Sequence, residues 1–302
     1  MTLVLMTFVV VSCGPKADHT PEATTKILTS TSEILLTSSS GSKLAVQENV
    51  EFNAGQAQGV VLHVFPDSVK QTIDGIGTSF TESSAFVLAH LDPQDRMEVM
   101  QNIYGEDGAN FSLTRTHIGA CDFSVEGKYS YAEQAGDTEL KSFNIDEDLE
   151  GFSTADYPGI KDSKYDLLPM IQEALQIKQS QTDSELRIIA SAWTAPAWMK
   201  ENEMYYEPGT PENNWQGTGG SLKPEYVSTY ADYLVRYFDA YKAAGVNIWG
   251  LTPVNEPHGN NGQWESMNFS PETQSEFVQK YLGPGLRGAV FGDARLLSFD
   301  QK

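Results

Sequence analysis

The stretch Leu251-Thr252-Pro253-Val254-Asn255-Glu256-Pro257 carries the side chains best suited to acid–base work: an amide beside a carboxyl, where an apolar run gives way to a turn. A carboxyl half buried among aromatic side chains at such a point can hand a proton to a leaving-group oxygen. Asn255 beside it can hydrogen-bond a hydroxyl of the same ligand. Taken alone, a polar turn after a strand accounts for the tripeptide equally well. Other chemistries find less support. The five histidines show no His-x-x-x-His pairing, and the two cysteines, Cys13 and Cys121, stand far apart in different contexts. Neither a cysteine-rich metal site nor a disulfide framework follows, and no cofactor or metal is expected. Cys121, without an adjacent base, reads as a small buried residue. With 20 Lys+Arg against 41 Asp+Glu the net charge is −21, and no basic cluster interrupts it. That balance excludes nucleic acid and disfavours an anionic membrane surface as a partner.

The elements that must position Glu256 alternate between strand and helix. Residues 72–77 form a short β run closed by glycines, and Asp92-Pro93 supplies the N-cap and first-turn proline of a helix that ends at Tyr104 before Gly105. A second strand is predicted over 109–118, a helix over 165–178, and a third strand over 186–192, whose unbroken Leu/Ile/Ala run suits a parallel sheet buried on both faces. Tyr226, Tyr230, Tyr233, Leu234, Tyr237, Phe238 and Tyr241 recur at three- and four-residue steps over 224–244, which predicts the packed face of a helix rather than a sugar-stacking stripe. Gly245 ends that helix, and 246–254 makes a fourth strand that delivers Asn255 and Glu256. Ser270-Pro271-Glu272 opens another helix, stopped by Gly283-Pro284-Gly285, and a fifth strand begins at Arg295. This alternation predicts a parallel α/β fold, a (β/α)8 barrel with a doubly wound sheet as the other possibility, although no Gly-x-Gly-x-x-Gly follows the first strand. About four and a half β/α units are present where a closed barrel needs eight, so the chain is expected to be the N-terminal part of a longer protein.

The N-terminal 70 residues read differently. Residues 3–11 form an apolar run too short to span ~30 Å of hydrocarbon but of the length of a signal-peptide core, although no Lys or Arg precedes it. It leads into Val10-Val11-Ser12-Cys13-Gly14, which resembles a bacterial lipobox. The expected organisation is a signal peptide over 1–12, a lipidated Cys13 with a Ser/Thr-rich tether over 13–42, and a separate stretch over 43–70. Within that last stretch Val60, Leu62 and Val64 alternate, and the barrel occupies 71–302. A secreted protein or cell-envelope lipoprotein of a bacterium is expected.

Five ordered stretches give the sequence a resemblance. They are Asp74-Gly75-Ile76-Gly77-Thr78-Ser79-Phe80-Thr81-Glu82; Arg115 through Cys121-Asp122-Phe123-Ser124 with Tyr129-Ser130-Tyr131; Ser191-Ala192-Trp193-Thr194-Ala195-Pro196-Ala197-Trp198-Met199-Lys200; Asn255-Glu256-Pro257; and Phe269-Ser270-Pro271-Glu272 with Leu282-Gly283-Pro284. In this order they resemble glycoside hydrolase family 30, which includes glucosylceramidases and β-1,6-glucanases and whose members carry a β-sandwich beside the barrel; the resemblance implies that 43–70 supplies the first strands of such a side β-domain. The resemblance implies that Glu256 is the general acid/base and that Asn255 binds the sugar 2-hydroxyl. It further implies that Asp122 grips outer hydroxyls of the same ring, that Trp193 lines its subsite, and that Arg115 lies near the catalytic carboxylates. Trp264 is a candidate aglycone platform, while Trp198 reads as a packing residue.

A retaining mechanism follows from the resemblance, with a nucleophilic glutamate expected at a seventh strand end beyond Lys302. The implied partner is a β-glucan, glucoside or glycolipid substrate. Two other readings stay open: a xylan-active enzyme of the same family, and a truncated surface protein that binds carbohydrate without cleaving it. The isolated piece is expected to be inactive and poorly soluble.

Overall fold

The computed structural model of the chain describes residues 31–298 apart from 52–55, 57, 126, 183, 209, 214–218 and 258–261. The apolar segment 3–11 and Cys13 lie outside the described residues, and with them the expected signal peptide and lipidation site. The chain divides into two units, 1–70 and 71–302.

In the first unit each strand is two residues long. Strand β1 (Thr31–Ser32) pairs antiparallel with β4 (Val50–Glu51), and β2 (Leu35–Leu36) with β3 (Ala45–Val46). Strands β1 and β2 fall in the stretch that reads as a tether. Gly41, at φ +106°, makes the turn between β2 and β3 in a conformation open to glycine. The alternation at Val60, Leu62 and Val64 does not become a strand: the three side chains are 92%, 85% and 82% exposed. An alternating run becomes a strand when a partner edge and a facing layer bury one side, and the described residues offer these three neither.

The second unit holds a five-stranded sheet. Its strands are β5 (Gly77–Ser79), β6 (Leu113–Ile118), β7 (Arg187–Ala192), β8 (Gly250–Thr252) and β9 (Arg295–Leu296), all parallel and in chain order. A doubly wound sheet must reverse its strand order at a switch point, whereas a barrel adds each strand beside the last. The order therefore decides for part of a (β/α) barrel. Gly77 permits the first pairing, since a Cβ there would come within 1.4 Å of the Leu113 carbonyl oxygen.

Helices follow the strands. Helix α1 (Glu82–Ala89) is capped by Thr81, whose hydroxyl accepts from the Ser84 amide; its residues show no helical periodicity, so no helix is predicted there from spacing. Helix α2 (Pro93–Tyr104) has the predicted limits, Asp92 before it and Gly105 after it. Helices α3 (Leu167–Gln179) and α4 (Val227–Ala243) place their apolar stripes in the core, and Tyr230, Tyr233, Tyr237 and Tyr241 are completely buried. Ser270 caps α5 (Pro271–Phe277) through a bond from the Thr273 amide.

Gly283-Pro284-Gly285 does not stop this helix. A π turn over Val278–Leu282 carries it into α6 (Gly283–Gly288). The Gly283 amide donates to the Val278 carbonyl, one residue further back than in an α-helix, and that wider turn accommodates the proline ring.

The two faces of the sheet differ. Thr114, Thr116, Ile118, Ile188, Ala190, Ala192 and Leu251 are at most 1% exposed, and the apolar ones share a core with the stripes of α3 and α4. On the other face Leu113, Arg115, Arg187 and Ile189 are half-buried. The parallel register aligns Arg115 with Ile189, His117 with Ser191, and Ser191 with Thr252. A polar row thus runs toward the C-terminal strand ends.

Candidate active site

Alternation along β6 puts Arg115 and His117 on the half-exposed face, and β7 delivers Ser191 with Trp193 just beyond its end. Strand β8 ends at Thr252, and the chain turns to present Asn255 and Glu256. The Asn255 amide donates to the Ala192 carbonyl at 2.6 Å, which docks this turn onto the end of β7. Arg115 joins the three strand ends. Its Nε donates to Ser191 Oγ at 2.9 Å, its Nη2 to Asn255 Oδ1 at 2.6 Å, and its guanidinium carbon lies 4.6 Å from the Trp193 ring centroid. A guanidinium can only donate, so the Asn255 oxygen must face it and the amide NH2 remains to donate elsewhere. Ser191 Oγ also shares a short hydrogen bond with Thr252 Oγ1.

Glu256 is half-buried and has φ +42°, in the left-handed region, although a proline follows it. Both features are costly for a side chain with a Cβ, and such strain survives where surrounding bonds fix the backbone, as the Asn255 amide does here. Asp122, exposed at the end of the β6 loop, has its carboxyl raised above the usual range by partial burial, opposed by its own backbone amide, Trp193 and Arg115. The buried Trp193 Nε1 makes no regular hydrogen bond but lies close enough to favour the Asp122 carboxylate.

Arg115, Asp122, Trp193, Asn255, Glu256 and Trp264 all line one cleft of about 680 Å³ at the C-terminal ends of the strands. Every site residue predicted from sequence within the described part of the chain therefore converges. Trp198 faces elsewhere: its indole donates to the Ala132 carbonyl at 2.8 Å and packs edge-on against Tyr226. Cys121 is buried, and burial pushes its thiol up to about 12, so it stays protonated and unreactive.

His117 and Phe123 also line the cleft, and sequence reasoning assigned neither a place there. His117 Nδ1 bonds the Gly119 carbonyl at 2.7 Å while Nε2 accepts from the Glu82 amide at 3.2 Å, which selects the neutral tautomer protonated on Nδ1. Burial lowers its pKa to about 4, so it anchors the start of α1 rather than shuttling protons. The Arg115-x-His117 alternation could have flagged it. Phe123, 57% exposed, presents an apolar ring to solvent at the cleft. Among the described residues no group of three or more His, Cys, Asp or Glu is placed to hold a metal ion.

A family model described as the glycosyl hydrolase family 30 TIM-barrel domain matches residues 73–302. The chain is 29% identical to putative glucosylceramidase 3 of Caenorhabditis elegans, over 81% of this chain and 42% of that protein. It is 30% identical to an endo-1,6-β-D-glucanase of Neurospora crassa, over 78% and 43% of the two. A solved endo-β1,6-glucanase superposes with a TM-score of 0.60 at 32% identity, over 78% of this chain and 46% of that one. The chain spans less than half the length of these relatives. Strand order, a cleft at the strand ends and the match over 73–302 agree: the chain belongs to glycosyl hydrolase family 30.

Proposed function

We propose that the chain supplies the acid/base side of a retaining β-glycosidase that cleaves β-glucosidic bonds in a β-1,6-glucan or a glucosylceramide-like glycolipid. The observation that carries this reading is the junction at Arg115, which holds Asn255, beside Glu256, and stacks over Trp193 in one cleft. In the proposed reaction Glu256 protonates the leaving-group oxygen as the glycosidic bond breaks and later takes a proton from the attacking water. The Asn255 NH2, turned away from Arg115, donates to the sugar 2-hydroxyl oxygen. Asp122 accepts from two outer hydroxyls, and the Trp193 indole forms an apolar wall for the ring's C–H face.

Retention needs a second carboxylate about 5–5.5 Å from the first to attack the anomeric carbon and form the glycosyl-enzyme. We assign that role to none of the carboxylates present but to one at a seventh strand end in sequence continuing beyond this chain. On this reading the 302 residues alone turn over no substrate. We also place the mature protein at a bacterial cell envelope, held through a lipid on Cys13. Loss of metabolic fatty-acid labelling in Cys13→Ser tests that placement.

The function is tested by extending the reading frame, expressing the complete protein, and assaying aryl β-glucoside, aryl β-xyloside and β-1,6-glucan beside Glu256→Gln. Cleavage of glucoside or glucan that falls at least ~10²-fold in the variant is expected. Cleavage of xyloside alone moves the substrate to xylan. No cleavage, with no carboxylate downstream, leaves a carbohydrate-binding protein and withdraws the role of Glu256.

A further inference from the structure

Lys200 is a lysine with no exposed surface, and it lies outside the cleft's lining. Its ammonium donates to two backbone carbonyls, Tyr205 at 3.0 Å and Ser266 at 2.8 Å. These belong to separate loops, one following β7 and one following Glu256. The Ser266 amide adds a bond to the same Tyr205 carbonyl at 3.0 Å, so the Lys200 head sits on the seam between the two loops. Two residues before Ser266 stands Trp264, which lines the cleft with Glu256, and the Ser266 hydroxyl donates to the Trp264 carbonyl at 3.0 Å. Between them the buried Glu265 accepts from the Lys128 amide at 2.8 Å, fastening the same loop to the segment that follows β6. The loop carrying Trp264 is therefore held at the two residues that follow it, through the Glu265 carboxylate and through the Ser266 carbonyl bound by the Lys200 ammonium.

Burying an ammonium against carbonyl oxygens is costly, and burial lowers the Lys200 pKa to about 7. A leucine or methionine would fill that volume more cheaply if packing were the only requirement. What they could not do is bind two carbonyls at once.

We propose that Lys200 is a positioning residue that fixes Trp264 as the wall against which the portion of the substrate beyond the scissile bond is held. This inference rests on the glycosidase reading for the substrate and on the hydrogen bonds for the clamp. Trp264 offers a flat apolar face to a second sugar ring, so the clamp matters for β-1,6-glucan and little for an aryl glucoside, whose leaving group is a single small ring.

The test uses the complete protein with Lys200→Met, Trp264→Ala and the double variant. For Lys200→Met, kcat/KM on β-1,6-glucan is expected to fall at least 10-fold, carried by KM, with the aryl β-glucoside changed less than 3-fold. The double variant should be no worse on glucan than Trp264→Ala alone. Equal losses on both substrates, or additive losses in the double variant, overturn the proposal.

Hydrogen exchange gives a readout that needs no substrate: the Ser266 amide should exchange at least 10-fold faster in Lys200→Met while the amides of β6 and β7 keep their rates. Unchanged Ser266 exchange removes the clamp. If wild-type protein cleaves neither substrate, the glycosidase reading and the substrate role of the wall fall together, and exchange alone judges the clamp. Should Lys200→Met fail to fold, Trp264→Ala carries the test, and an unchanged glucan-to-glucoside ratio overturns the wall.

Discussion

The two faces of the parallel sheet are built to opposite ends. Behind it, Ile188, Ala190, Leu251 and the stripe from Tyr230 to Tyr241 are sealed from water, and aromatic pairs such as Tyr230–Phe277, with centroids 5.4 Å apart, fill the space. In front, and at the strand ends, lie a guanidinium, a buried neutral histidine, a half-buried glutamate in a left-handed conformation and an exposed phenylalanine. The first face is apolar burial worth roughly 1.5–3 kcal/mol per large side chain. The second costs free energy in strain and desolvation, which the first offsets. The apolar core and the candidate site thus occupy different sides of the same strands, and substitutions should separate stability from the proposed activity.

The largest expected effect lies behind the sheet. Leu234, completely buried on α4, should cost about 2–5 kcal/mol when truncated to alanine, read as a lower denaturant midpoint with unchanged slope. In the complete protein, the molecules that remain folded should keep their activity; a matching loss of activity would break the division.

Glu256→Gln is the mirror experiment. A loss of at least ~10²-fold in kcat/KM in the complete protein corresponds to about 2.7 kcal/mol of transition-state stabilisation, while the free energy of unfolding should change by no more than about 0.5 kcal/mol.

A smaller effect tests whether buried polar groups behind the sheet belong to its stability. Asp148 is buried, and it accepts from the Tyr131 hydroxyl at 2.7 Å and the Tyr241 hydroxyl at 2.6 Å. Burial raises its pKa from 3.8 to about 7 against the pull of those hydroxyls. The folded state therefore prefers the protonated acid. This contribution to stability is complete below about pH 4 and is lost as pH rises through about 7. Asp148→Asn, which keeps the shape without the proton, should gain on wild type over that window. A difference in unfolding midpoint independent of pH between 4 and 8 would refute the assignment.

The smallest effect is an absence of reaction. With its thiol held at about 12 by burial, Cys121 should resist alkylation at neutral pH in the native protein and react once it is unfolded.

Much of this division was legible in the residue pattern, and the exceptions share a cause. The α4 stripe, the limits of α2 and the run of β7 follow from spacing and from turn residues, because each depends on neighbours a few positions away. The strand predicted over 246–254 shrinks to Gly250–Thr252, since ladder pairing rather than alternation decides where a strand ends. Helix α1 escaped notice because its eight residues are apolar or small on most sides, leaving its cap Thr81 as the local signal. Gly283-Pro284-Gly285 misled for the opposite reason: a strong local stop is overridden by a π turn. In the site, the predicted residues stood in motifs long enough to be read, whereas His117 acquires its role from the Glu82 amide and the Gly119 carbonyl. The first of those partners lies 35 positions away.

By itself the sequence determined the order of the strands and of most helices between them, the excess of acidic residues and the identity of Glu256, Asn255, Asp122, Trp193 and Arg115 as candidates. These rest on side-chain type and short-range periodicity, which a chain carries before it folds. The tertiary structure decided that Arg115 orients Asn255 by holding its oxygen, that Glu256 is strained, and that Lys200 ties the loop of Trp264 to its neighbour. Each of these is a bond or a constraint between groups tens of residues apart in the chain. Such groups meet once the entropy of closing the intervening loops has been overcome by the burial behind the sheet.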